Sequence, residues 1–128
     1  MAKILIIDDD PVTKLFCRRI LEKQGFEVDT ASDGYEAIKK AKETNYDSLL
    51  VDLVLPGMMN GIDVIKKVRS FSPNSFIIAY SGFSDSDIAE RVIHAGANNF
   101  LAKPFKPEKL IKVMFPDRAN IPTSALVG

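Results

Sequence analysis

Three short apolar runs and two further strand-like stretches recur along the chain, and between them the apolar positions fall into helical spacing. Residues 3–7 (KILII), 48–51 (SLLV) and 76–80 (FIIAY) run apolar with little alternation, the pattern of strands buried on both faces of a parallel sheet. Residues 26–30 and the shorter 99–102 read as two more strands. Each run is followed by helix signals. Asp10 suits an N-cap and Pro11 a first helical position, with Phe16, Cys17, Ile20 and Leu21 counted inward and Gly25 as the stop. Ser32 or Asp33 opens a helix with Ala37, Ile38 and Ala41 on its apolar face. Residues 61–70 form another, with Val64, Ile65 and Val68 inward. Ser84 or Asp85 starts a fourth, with Ile88, Ala89, Val92 and Ile93 inward and Gly96 ending it. Pro107 opens the last, which runs to about Phe115 before Pro116.

Strand and helix thus alternate five times. That order predicts an α/β fold: a five-stranded parallel sheet with right-handed crossovers and helices on both faces. Residues 1–115 form one domain in this reading, and 116–128 an irregular tail or linker stub with two prolines and no periodicity. A length of 128 residues supports a single core.

Composition narrows the function classes. Seventeen basic residues balance seventeen acidic ones, so no overall field draws the chain to nucleic acid or an anionic membrane. No apolar run reaches transmembrane length, and MAKILIIDDD lacks the long apolar core of a signal peptide. The single cysteine, Cys17, fits a reducing compartment and a small core residue, and a cytoplasmic location is expected.

Candidate chemistry lies where the strands end, since ligands of open parallel sheets collect beyond the strands' carboxyl ends. Asp8 and Asp9 follow the first strand, Asp52 the third, Ser81 the fourth and Lys103 the fifth. Three carboxylates brought together repel at roughly 4 kcal/mol per pair near 4 Å and an effective dielectric of about 20. They keep their charges only with cations beside them: Lys103, and a hard divalent ion such as Mg2+ (or Mn2+) on oxygen ligands. A hydroxyl and an ammonium opposite a metal-bound carboxylate match phosphoryl transfer, with Asp52 a nucleophile suited to an acyl phosphate.

Over residues 3–115 the chain resembles the receiver domain of two-component response regulators, through ILIIDDDP, LLVDLVLPG, IIAYSG and FLAKPF. The resemblance implies a doubly wound, flavodoxin-like sheet of order 2-1-3-4-5 and a signalling switch rather than an enzyme with its own substrate. It implies Asp52 as phosphoacceptor, charged by a partner histidine kinase or histidine phosphotransfer protein. Asp9 would bind the metal directly and Asp8 through water, with the backbone carbonyl of Val54 as a further ligand. Ser81 becomes the switch hydroxyl, Lys103 the phosphate partner and Phe100 the switch aromatic, and the Lys103–Pro104 bond becomes cis. The output face would be the fourth helix, fifth strand and last helix, through which such domains dock a downstream partner or dimerise. One departure stands out: four residues, 57–60, separate Pro56 from Gly61, where the family usually has three. Apolar Val54 and Phe83, each two residues past a site residue, imply a slowly hydrolysed acyl phosphate.

Other readings compete. Asp8, Asp10 and Val12 also fit the D-x-D-x-V motif of haloacid-dehalogenase-like phosphohydrolases, with Asp8 as nucleophile and Asp10 as general acid. That assignment leaves Asp52 idle. His94 reads as solvated, and the Lys39, Lys40, Lys42 and Lys66, Lys67, Arg69 clusters as solvated helix faces.

Overall fold

The computed structural model describes residues 2–82 and 86–116. Strands β1 (Lys3–Ile7), β2 (Glu27–Ala31), β3 (Ser48–Asp52), β4 (Phe76–Ser81) and β5 (Asn99–Ala102) alternate with helices α1 (Pro11–Lys23), α2 (Gly34–Glu43), α3 (Gly61–Phe71), α4 (Ser86–Ala95) and α5 (Pro107–Met114). All four strand pairings are parallel and the order is β2-β1-β3-β4-β5. The doubly wound expectation is met. Ser84 and Asp85, Phe83 and the tail beyond Pro116 lie outside the described residues.

Local chemistry sets the element ends. Asp10 caps α1 through the Val12 N–H, and Asp33 caps α2 through the Glu36 N–H. Asn60 and Asp63 form a reciprocal capping box at α3. Gly25 and Gly96 follow α1 and α4 at φ of 92° and 123°, a conformation that side chains resist. No helix among the described residues is long and apolar enough to cross a membrane.

The sheet divides the core in two. Leu5, Ile7, Leu49, Val51, Ile77 and Ala79 pack under α2, α3 and α4. Ile4, Ile6, Leu50, Ile78 and Leu101 pack under α1 and α5, together with Cys17, whose thiol burial pushes up to about 12. Two helix faces differ from expectation. Phe16 is 41% exposed and leans on Phe105, with ring centroids 5.9 Å apart, because it sits at the margin of α1 rather than beneath it. Ile93 is 50% exposed, since its neighbour Val92 takes the buried position on α4.

Candidate functional site

The site follows from strand periodicity. Side chains two residues apart on a strand share a face. Ile6, Leu50, Ile78 and Leu101 all enter the core under α1 and α5. Two residues beyond each stand Asp8, Asp52, Tyr80 and Lys103. The row that is apolar inside the sheet therefore turns polar where the strands end, and ionic at three of the four.

Lys103 Nζ lies 3.2 Å from Asp52 Oδ2 and 3.5 Å from Asp8 Oδ2. Asp52 Oδ1 accepts the Val54 N–H at 3.0 Å, and Asp8 Oδ1 accepts the Asp10 N–H at 2.9 Å. The Tyr80 hydroxyl donates to Asp8 Oδ2. Asp8 is fully buried, Asp52 is 6% exposed, and Asp9 stands in solvent.

Carboxylate oxygens of Asp8, Asp9 and Asp52 lie within 4.8 Å of one another. Charges at that spacing repel at about 3 kcal/mol per pair with an effective dielectric near 20. Burial raises the Asp52 carboxyl above the ordinary value; the Asp8 charge adds to this, while the Val54 N–H and Lys103 oppose it. One ammonium does not balance three carboxylates. The all-oxygen donor set and surplus negative charge fit a hard divalent cation.

Ser81 and Phe100 belong to the other face. Ser81 is buried two residues beyond Ala79, and half-buried Phe100 packs against the core under α2, α3 and α4. The Ser81 carbonyl accepts the Lys103 N–H at 2.8 Å, which ties the two strand ends together through the main chain. The Lys103–Pro104 peptide is cis.

The loop after Asp52 carries the extra residue. Gly57 turns at φ 90°, Met58 projects fully into solvent, and Asn60 starts α3. Gly61 then presses on the main chain of the phosphoacceptor candidate: a Cβ there would lie 2.3 Å from the Asp52 carbonyl oxygen.

Two residues escaped the sequence reading. Tyr80 passes for an ordinary strand residue until the register, which pairs it with Asp52, is known; its period-two spacing from Ile78 was the available signal. Arg69 is not a solvated cation like its neighbours. Its guanidinium donates to the carbonyls of Ser72, Pro73, Ser75 and Gly96 and to Asn98 Oδ1, at 2.8–3.2 Å. Nothing in the KKVR pattern separates it from Lys66 and Lys67.

The phosphohydrolase assignment loses its general acid here. Asp10 accepts the Thr13 hydroxyl at 2.6 Å and the Val12 N–H at 3.2 Å, and these bonds hold its carboxyl below the usual range. A general acid must instead carry a proton at working pH.

Comparison with known proteins agrees with this arrangement. The family profile of the response regulator receiver domain matches residues 4–115. The chemotaxis protein CheY of Thermotoga maritima is 35% identical over 113 residues, covering 88% of this chain and 93% of CheY. The transcriptional regulatory protein ResD of Bacillus subtilis is 32% identical over 86% of this chain, which spans only 45% of ResD. Among solved structures, the CheX-CheY-BeF3-Mg+2 complex from Borrelia burgdorferi contains a similar chain at TM-score 0.86 and 28% identity, covering 91% of this chain and 88% of that one.

Proposed function

Given that this chain belongs to the response regulator receiver domain family, we propose that Asp52 is its phosphoacceptor in a two-component or phosphorelay system. The observation that carries the reading is Asp52 itself: a buried strand-end carboxylate, 3.2 Å from Lys103 Nζ and within one cluster with Asp8 and Asp9. Asp9 and Asp52 directly, Asp8 through water and the Val54 carbonyl would hold Mg2+ or Mn2+. When bound, the cation would neutralise negative charge on the incoming phosphoryl oxygens.

A carboxylate oxygen of Asp52 attacks the phosphorus of a phosphohistidine on the donor. The new O–P bond forms as the P–N bond breaks, and the departing imidazole takes a proton from solvent. Lys103 turns from the Asp52 carboxylate to a phosphoryl oxygen, and Ser81 donates its hydroxyl to another. Movement of Ser81 leaves room that Phe100 fills, so the face of α4, β5 and α5 repacks and a downstream partner, or a second copy, distinguishes the two states. The donor is a histidine kinase or histidine phosphotransfer protein, and the setting is the cytoplasm. The domain takes part in its own phosphorylation and dephosphorylation and turns over no other substrate.

Incubation with a small phosphodonor and Mg2+, then mass mapping, tests the assignment. A phosphoryl adduct on Asp52, absent from Asp52→Asn, is expected. Phosphate release through Asp8 with no adduct on Asp52 would overturn it.

A further inference from the structure

The proposed chemistry leaves Tyr80 without a role, yet Tyr80 touches two of the residues that chemistry needs. It is fully buried on β4, in register with Asp52. A phenol in an apolar layer needs a hydrogen-bond partner. Here the partner is the Asp8 carboxylate, at Oδ2. The face of the same ring lies 4.4 Å from Lys103 Nζ, at cation–π distance. Phe105 meets the ring edge-on at 6.2 Å between centroids, which helps fix its plane.

Resting on the reading of Asp52 as phosphoacceptor, we propose that Tyr80 is a positioning residue for both halves of the site. Its hydroxyl sets the Asp8 carboxylate for the divalent cation, and its ring seats Lys103 above the site until a phosphoryl group takes the ammonium.

The hydroxyl acts by restraint. Asp8 Oδ1 is held by the Asp10 N–H and Oδ2 by the phenol, so the carboxylate plane is fixed from both ends. The phenol has one proton to donate, and Asp8 Oδ2 receives it. Without it, Oδ2 is left to Lys103, now 3.5 Å away, and a tighter ion pair between the two would compete with the cation. The ring acts on the other partner: it offers Lys103 a second favourable seat beside Asp52.

Calorimetric Mg2+ titration of the unphosphorylated protein separates this role from simple packing. Tyr80→Phe keeps the ring and removes the hydroxyl, and its Mg2+ affinity should fall about tenfold, the usual consequence of removing a group that orients a metal ligand. Parental Mg2+ affinity in Tyr80→Phe, with only a lower unfolding midpoint in EDTA, would reduce the hydroxyl to a packing role and overturn that half. The ring is tested in the parent, so no variant need fold: Lys103 side-chain protons should be ring-current shifted upfield by NMR and lose the shift when beryllofluoride and Mg2+ occupy the site. Unshifted Lys103 resonances overturn the second half. If the parent takes no phosphoryl group on Asp52, the phosphoacceptor reading itself fails, whatever Tyr80 does.

Discussion

Replacing Gly61 by alanine should damage the protein in a way that helix propensity alone gets backwards. Gly61 is the first residue of α3, and alanine is favoured over glycine within a helix by about 1 kcal/mol. The added Cβ, however, would sit 2.3 Å from the Asp52 carbonyl oxygen, 2.5 Å from Leu53 Cα and 2.9 Å from the Asp52 carbonyl carbon. All three are main-chain atoms, so no side-chain end can swing aside. Restoring ordinary contact requires roughly 1 Å of separation between α3 and the end of β3. That movement also stretches the Gly61 N–H to Leu53 carbonyl bond, now 3.1 Å. Overpacking of this kind costs about 3 kcal/mol, or about 2 after the propensity gain. Urea unfolding should show a lower midpoint at unchanged slope, and thermal unfolding a drop of roughly 6–10 °C. Since the shift falls on Asp52, phosphorylation by a small donor at saturating Mg2+ should slow up to about a hundredfold. Gly57→Ala is the control. Nothing lies within 4 Å of its Cβ, so only the strain of φ 90° remains, about 1 kcal/mol, with the phosphorylation rate untouched. If Gly61→Ala matched the parent in both stability and rate, the close approach of α3 to the end of β3 would constrain neither.

Asp52→Asn should stabilise the metal-free protein at neutral pH. The folded carboxyl is raised, chiefly by burial, so its favourable contribution is full below the ordinary value near 3.8 and fades as pH rises through the folded value. The gain over the parent in EDTA should grow with pH and close toward acid, and a pH-independent difference would contradict it. Arg69→Lys, which keeps the charge and loses the planar fork, should lower unfolding stability by about 2 kcal/mol; a change under about 0.5 kcal/mol would mean that those carbonyls find water instead. Val54 is 57% exposed beside the Asp52 carboxylate. An asparagine there can orient a hydrolytic water, so phosphorylated Val54→Asn should lose phosphate faster than the parent; equal decay would remove the shielding argument.

The elements were legible because each rests on local chemistry. The apolar runs at residues 3–7, 48–51 and 76–80 became strands, and Asp10, Asp33 and Gly96 marked helix ends through their own side chains or freedom of φ. Asp8, Asp52 and Lys103 were legible for a related reason: in a parallel sheet, chain order fixes which residues stand at the strand ends. Tyr80 and Arg69 were not, since their roles depend on partners 72 and 27 residues away whose placement comes only from the packed fold. Phe16 and Ile93 were assigned inward because helical periodicity gives a stripe but not its width. Val92 takes the core position and turns its neighbour out.

The Arg69 fork has a mechanical consequence. It fastens the turn after α4 to the end of α3 through Gly96 and Asn98, at the pole of the domain opposite the acidic cluster. Were α4 to tilt, Gly96 would be its fulcrum, and its arm would reach back toward the Ser81 end of the sheet over the core that Ile88 and Val92 join. Ten residues make that arm about 15 Å long, so a tilt of about 10° carries the far end roughly 2.5 Å while the pinned end scarcely moves. A partner that clasps the Ser86 end of α4 would feel the whole stroke, and one that clasps the Gly96 end almost none of it.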